Sequence, residues 1–96
     1  SIVPDQSIIF RGVGSELALN AAGRSMAADW ALVYLSGPCA VSVRMDRIKA
    51  SERVRVCWID PTSAERHPVG AFDYADVKEF STPEGWQDAL LLLGAE

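Results

Sequence analysis

The chain has 96 residues, enough for one domain with a single modest core and too few for two. Hydrophobic residues make up 49% and charged residues 23%, which excludes a disordered chain. Thirteen acidic against nine basic residues leave a net charge of −4, which speaks against a nucleic-acid binder built on a basic stripe. The longest uncharged apolar run, residues 89–95, falls short of the roughly 20 residues of a membrane span. The opening Ser-Ile-Val-Pro-Asp lacks the basic and apolar stretches of a secretion signal. With no initiator Met, Ser1 reads as a cut end, and residues 1–96 as one domain of something longer.

Turn signals punctuate the chain at short intervals. They are Gly12-Val13-Gly14, Ala22-Gly23, Ser36-Gly37-Pro38, Asp60-Pro61-Thr62-Ser63 and Thr82-Pro83-Glu84-Gly85. In chain order, residues 15–23 come first as an ambiguous segment. They hold an N-cap candidate, strong helix formers and a C-terminal Gly. Residues 31–35 (Ala-Leu-Val-Tyr-Leu) are an apolar run with β character. Residues 40–45 and 53–58 alternate strictly, with Val41, Val43 and Met45 on one face and Val54, Val56 and Trp58 on another. Residues 77–80 alternate weakly. The last segment fits two periods. Thr82 and Pro83 suit a helix start, with Trp86, Ala89, Leu90 and Leu93 at i, i+3, i+4 and i+7. The run Ala-Leu-Leu-Leu-Leu fits equally a strand buried on both faces. Short strands at this spacing predict an all-β protein, a single antiparallel β-sandwich of about seven to eight strands.

Two cysteines make neither a disulfide scaffold nor a zinc site. If residues 39–45 and 53–60 form a hairpin, Cys39 and Cys57 lie opposite each other. Their parities differ, however: Cys39 runs with Val41 and Val43, Cys57 with Arg53 and Arg55. Side chains alternate faces along a strand, so the expectation is two free thiols.

Catalytic constellations are missing from the residues. His67, the single histidine, stands before Pro68 in a polar stretch and reads as a solvated loop or strand-edge residue. No Gly-x-Ser-x-Gly, phosphate-cradling loop or His-Glu-x-x-His occurs. Asp60, Asp73 and Asp76 would have to face each other across a cleft to hydrolyse a glycoside, and Asp73 and Asp76 read instead as turn residues. The same three carboxylates have no calcium-loop spacing, so no metal and no cofactor is expected. Among the aromatics, Trp58 shares parity with the core set, and Tyr34 is a further core candidate with its hydroxyl reaching a partner. Tyr74 and Trp86 lie in turn-rich polar surroundings and are the ligand-binding candidates.

The arrangement resembles the family described as the putative collagen-binding domain of a collagenase, a small β-domain that follows a barrel-shaped catalytic domain in bacterial proteins related to apiosidase-like glycoside hydrolases. The resemblance runs over residues 3–93. Val3-Pro4-Asp5 is similar to the entering segment, and Asp29-Trp30-Ala31-Leu32-Val33-Tyr34-Leu35 to the central strand. Val41-Ser42-Val43 with Met45 and Ile48 is similar to the next strand and its anchor. Val54-Arg55-Val56-Cys57-Trp58-Ile59-Asp60-Pro61 resembles the distinctive strand that closes in Trp-x-Asp-Pro. Phe80-Ser81-Thr82-Pro83 and Asp88-Ala89-Leu90-Leu91-Leu92 resemble the last turn and strand. Three departures stand out: Ala64 where the turn usually has Gly, Ser36-Gly37-Pro38 in place of Pro-Gly, and Ala89 where the family usually has Trp.

The resemblance implies an immunoglobulin-like or glycoside-hydrolase C-terminal-domain-like sandwich, with residues 17–22 and 87–93 as strands. It implies structural roles for Tyr34, Trp58, Asp60, Pro61, Phe80 and Pro83. The implied function is a non-catalytic C-terminal accessory domain that packs against or extends an upstream catalytic domain of the same chain, in a secreted or periplasmic protein. The alternative is a free-standing binding module for carbohydrate or a collagen-like protein. Neither nucleic acid nor a membrane is an expected partner. A docking domain should carry an apolar patch, a binding module an aromatic row or groove, and an enzyme a pocket with convergent polar groups.

Overall fold

The computed structural model describes residues 2–14, 20–49, 53–73 and 76–95. Among them are nine strands: β1 (Val3–Pro4), β2 (Ile9–Arg11), β3 (Ala21–Arg24), β4 (Trp30–Leu35), β5 (Ala40–Arg44), β6 (Arg53–Ile59), β7 (Arg66–Asp73), β8 (Val77–Ser81) and β9 (Ala89–Ala95). Short 3-10 turns at Gln6–Ile8 and Met45–Arg47 are the helical pieces. The strands form two antiparallel sheets, one in the order β1-β3-β4-β9-β6-β7 and the other β2-β5-β8.

The all-β antiparallel sandwich agrees with the sequence expectation, and the strand number exceeds it. β1 has two residues and β2 three, too short to announce themselves by alternation. β7 carries Pro68 and Gly70, which read as breakers. It is an edge strand, where a missing ladder donor costs nothing, and the register slips by one residue between Val56 and Cys57 to accommodate it. Residues 15–19 lie outside the described residues. Of the strand expected at 17–22, Ala21 and Ala22 fall in β3.

Alternation sets the core. From the large sheet, Ala31, Val33 and Leu35, Val54, Val56 and Trp58, and Ala89, Leu91 and Leu93 point inward; from the small sheet come Ile9, Val41, Val43 and Phe80, with Ile8, Met45 and Ile48 alongside. Each Val, Leu, Ile, Met or Phe among them contributes about 1.5–3 kcal/mol by burial. The last segment is strand rather than helix. β9 pairs with β4 through Leu35↔Ala89 to Trp30↔Gly94 and with β6 through Ile59↔Leu90 to Val54↔Ala95.

The hairpin considered above for the two cysteine strands does not form. Residues 40–44 hydrogen-bond to β2 and β8 in the small sheet, and residues 53–59 to β7 and β9 in the large one, so the 39–45/53–60 hairpin is absent. Cys39 and Cys57 are free thiols, as expected, because they belong to different layers rather than to opposite faces of one hairpin.

Polar groups tie the ends. Buried Asn20 donates from Nδ2 to the Gly12 carbonyl at 2.7 Å and accepts from the Ser36 N–H at 3.0 Å. Gly12, at φ +98°, is required there, since a Cβ would lie 2.8 Å from the Ala40 carbonyl oxygen. Asp5 caps the first 3-10 turn, accepting from the Ser7 N–H at 3.1 Å, and pairs with Arg24 at 2.9 Å. The Ser7 hydroxyl, against partial burial and helped by Arg24, holds the Asp5 carboxyl below its usual value.

Two predictions follow from these turns. Ala64 is left-handed at φ +62°, a conformation that strains any residue with a Cβ. Ala64→Gly therefore stabilises by about 0.5–1 kcal/mol after the entropy of the unfolded Gly is counted, or ~2–6 °C in Tm. A lower melting temperature would contradict this. Asp5→Ala costs about 1 kcal/mol at pH 7. A carboxyl whose folded pKa is depressed stabilises above its unfolded value, 3.8, and loses that contribution as the pH falls below it. Urea titrations at pH 7 and pH 3 should show the wild-type advantage shrinking at pH 3; an equal advantage at both would refute the charge-based part.

Candidate functional site

The outward face of the large sheet carries the unusual chemistry. Register aligns its side chains in rows across four strands. One row runs Tyr34, Leu90, Ile59, Arg66; the next runs Leu32, Leu92, Cys57, Pro68; the third starts Trp30, Gly94, Arg55. All of these except Tyr34 line a hollow of about 760 Å³ whose floor is Leu90, Leu92 and Cys57 and whose charged residues are Arg55 and Arg66. Trp30, Leu32, Cys57, Ile59, Leu90 and Leu92 are half-buried by one another. Four strands about 4.8 Å apart make the trough roughly 14 Å wide. Gly70 and Gly94 leave it open, one at the β7 edge and one beside Trp30.

The residues singled out from the sequence are scattered. Tyr34 is not in the core: it stands on the outward face, 38% exposed, because its parity is that of Trp30 and Leu32. Its hydroxyl donates to the Asp88 carboxylate at 2.9 Å, and this contact raises the phenol's pKa above 10.0. Trp58 and Phe80 are each 5% exposed in the core, and Phe80 meets Phe72 edge-to-face at 5.7 Å.

Asp60 ends β6 and organises the following turn. Its carboxylate accepts from the Thr62 N–H at 2.9 Å and its carbonyl from the Ala64 N–H at 2.7 Å, while Pro61 is exposed. Pro83 is half-buried, and its carbonyl accepts from the Trp86 N–H at 3.3 Å.

Of the two ligand candidates, Tyr74 lies outside the described residues. Trp86 is half-buried against the core rather than exposed, and the preceding Thr82 is tied to Cys39 by two hydrogen bonds. Its ring meets His67 edge-to-face at 5.0 Å, and His67 contacts Glu65.

The carboxylates do not converge either. Asp73 pairs with Arg53 at one end of the β6–β7 ladder, and Asp60 follows Ile59 at the other. Six or seven strand residues put them roughly 20 Å apart, against the ~5–9 Å of a glycosidase pair. Among the described residues no three His, Cys, Asp or Glu side chains are grouped to hold a metal ion.

The trough itself was half-legible. A strand apolar at consecutive positions signals two buried faces, and β9 shows it. Leu32, Cys57 and Ile59 join it only through the register.

Two packed antiparallel layers, one with an apolar outward face, define a small β-sandwich domain. The chain belongs to the family described as "Putative collagen-binding domain of a collagenase", which it matches over residues 3–94. Its fold recurs within solved glycoside hydrolase structures. One, described as a glycoside hydrolase, is 23% identical with a TM-score of 0.88; the match covers 99% of this chain and 21% of that one. Another, a glycoside hydrolase family 5 protein from Bacteroides vulgatus, is 24% identical with a TM-score of 0.87, covering 98% of this chain and 20% of that one. The chain thus spans about one-fifth of the length of these structures. No curated protein matches it.

The Tyr34–Asp88 contact is directly measurable. Asp88→Asn removes the carboxylate charge that opposes the phenolate, so the Tyr34 pKa falls toward 10.0. Ultraviolet titration of the variant, with Tyr34→Phe to assign the signal, should show phenolate forming at lower pH. An unchanged titration would remove the contact from solution.

Proposed function

We propose that this chain is a non-catalytic accessory domain of a larger glycoside-hydrolase-like protein, the chemistry residing in another domain of the same polypeptide. The observation that carries this reading is that almost the whole chain superposes on about a fifth of each of two glycoside hydrolases. Its own residues agree with that division of labour. Among the described residues, Asp60 and Asp73 sit at opposite ends of the β6–β7 ladder, and His67 packs on Trp86 and contacts Glu65.

A second reading, a binding module for carbohydrate or a collagen-like protein, draws on the family description and on Trp30 and Tyr34 standing on one face of β4. Collagen recognition needs an extended groove with apolar or aromatic lining. The trough has the apolar lining, but its polar side chains are two arginines.

The test is hydrolysis. The isolated chain should release no sugar from a panel of β-glycans, and the polypeptide that contains it should. Asp60→Asn and Asp73→Asn in that longer polypeptide should leave turnover unchanged. Turnover by the isolated chain, abolished by either substitution, would make it an enzyme and end the proposal. Binding of the isolated chain to a glycan or collagen array, with no hydrolase domain in the longer polypeptide, would favour the second reading.

A further inference from the structure

β2 breaks the alternation of the small sheet. Ile9 pairs with Val43 and Arg11 with Ser42, so Phe10 is an extra residue set against two consecutive residues of β5. A bulge of this kind re-aims side chains. A regular strand would send Arg11 inward with Ile9. Instead Ile9 stays in the core, while Phe10, 46% exposed, and Arg11 both stand out of it.

The bulge assembles a cluster. The guanidinium of Arg11 lies 5.4 Å from the centre of the Phe10 ring, and that of Arg44, from β5, lies 5.0 Å from it. Arg44 is tethered: its Nη1 donates to the carbonyls of Ser7 at 2.8 Å and Ile9 at 3.1 Å. Arg47 reaches the same margin and donates to the Ser7 hydroxyl at 3.2 Å. A guanidinium stacked on an aromatic ring meets it with its face and keeps its N–H edge for planar acceptors.

The carboxylates around the cluster do not use that edge. Asp46 lies 4.0 Å from Arg47, and Asp5 pairs with Arg24 at 2.9 Å. Glu79 stands beyond Ser42 in the row of Arg11 and forms no ion pair with it. Among the described residues neither Arg11 nor Arg44 has a carboxylate partner. Two cations held on one ring repel each other, and an anion shared by their N–H edges removes that repulsion. The cluster therefore suits a carboxylate on a ligand that also has an apolar face for the open part of Phe10.

Acidic peptides and acidic polysaccharides both carry carboxylates, and the geometry separates them. An extended peptide docks by adding a strand, and β2 offers an edge of three residues interrupted by the bulge. A sugar ring needs no backbone ladder. Resting on the accessory-domain reading above, we infer that Phe10, Arg11 and Arg44 form a binding site for a carboxylate-bearing polysaccharide. The two arginines take the carboxylate through paired N–H donors, and Phe10 takes the C–H face of the sugar.

Electrophoresis of the chain through native gels that contain a polymer tests this. Polygalacturonate should retard the chain at about 0.05 M salt, and the effect should fade by about 0.5 M as the charges are screened. Its methyl ester, which keeps the sugar and loses the charge, should retard the chain little. Arg11→Ala and Phe10→Ala should each weaken binding about tenfold or more; both side chains are exposed, and circular dichroism checks that the variants stay folded. Arg53→Ala, which removes the same charge from the large sheet, should leave binding unchanged.

No retardation by polygalacturonate, or a loss on Arg53→Ala equal to that on Arg11→Ala, means that the arginines only shield Phe10 and overturns the inference. Equal retardation by the methyl ester overturns it as well. Retardation by polyglutamate in place of polygalacturonate assigns the cluster to an acidic peptide and also overturns it. All of these results leave the accessory-domain reading standing, because that reading turns on where hydrolysis resides. A longer polypeptide without a hydrolase domain overturns that reading and leaves polygalacturonate binding to be measured on its own.

Discussion

β9 is hydrogen-bonded on both sides, to β4 through six residue pairs and to β6 through six more. Among the described residues no other ladder joins β1-β3-β4 to β6-β7, so without β9 the large sheet separates into two pieces. The same strand sends Ala89, Leu91 and Leu93 into the core between Val33 and Trp58. Its partners in β4 lie more than fifty residues earlier in the chain. Closing so long a loop is entropically costly, which places the completion of the large sheet late in folding, after the β6–β7 hairpin.

The constraint that builds the fold also sets its surface. A strand placed in the middle of the sheet with leucines at consecutive positions has no polar face to offer water. Its flanking strands reinforce this with Leu32, Ile59 and Cys57, and the two arginines at the margin supply the charge. The result is an apolar sheet face with arginines among its lining residues. Several of its polar residues serve turns: Asp60 orders the turn that carries left-handed Ala64, Asp5 caps the first 3-10 turn, and Asn20 bridges Gly12 and Ser36.

Much of this was legible before the structure. Strict alternation located β5 and β6 and assigned Val41, Val43, Val54, Val56 and Trp58 to the core, because a period of two states which face is buried. Pairing was not legible. Consecutive alternating strands invite a hairpin, but in a two-layer fold the chain switches sheets between them, and nothing local marks the switch. β7 hid behind Pro68 and Gly70, residues that an edge strand tolerates. Trp86 looked exposed because its neighbours are polar, while its ring closes the sandwich end against His67. Tyr34 looked like core because it sits in an apolar run, while parity turns it outward to Asp88. In both cases a tertiary relationship overrode the local setting.

On the accessory-domain reading, the apolar outward face of β9 is covered in the intact protein. Hydroxyl-radical footprinting reads side-chain exposure residue by residue and tests this directly. Leu90, Leu92 and Trp30 should be oxidised in the isolated chain and protected in the polypeptide that contains it, while Met26, exposed at the β3–β4 turn, is oxidised in both. Equal oxidation of the three trough residues in the two forms would contradict the account.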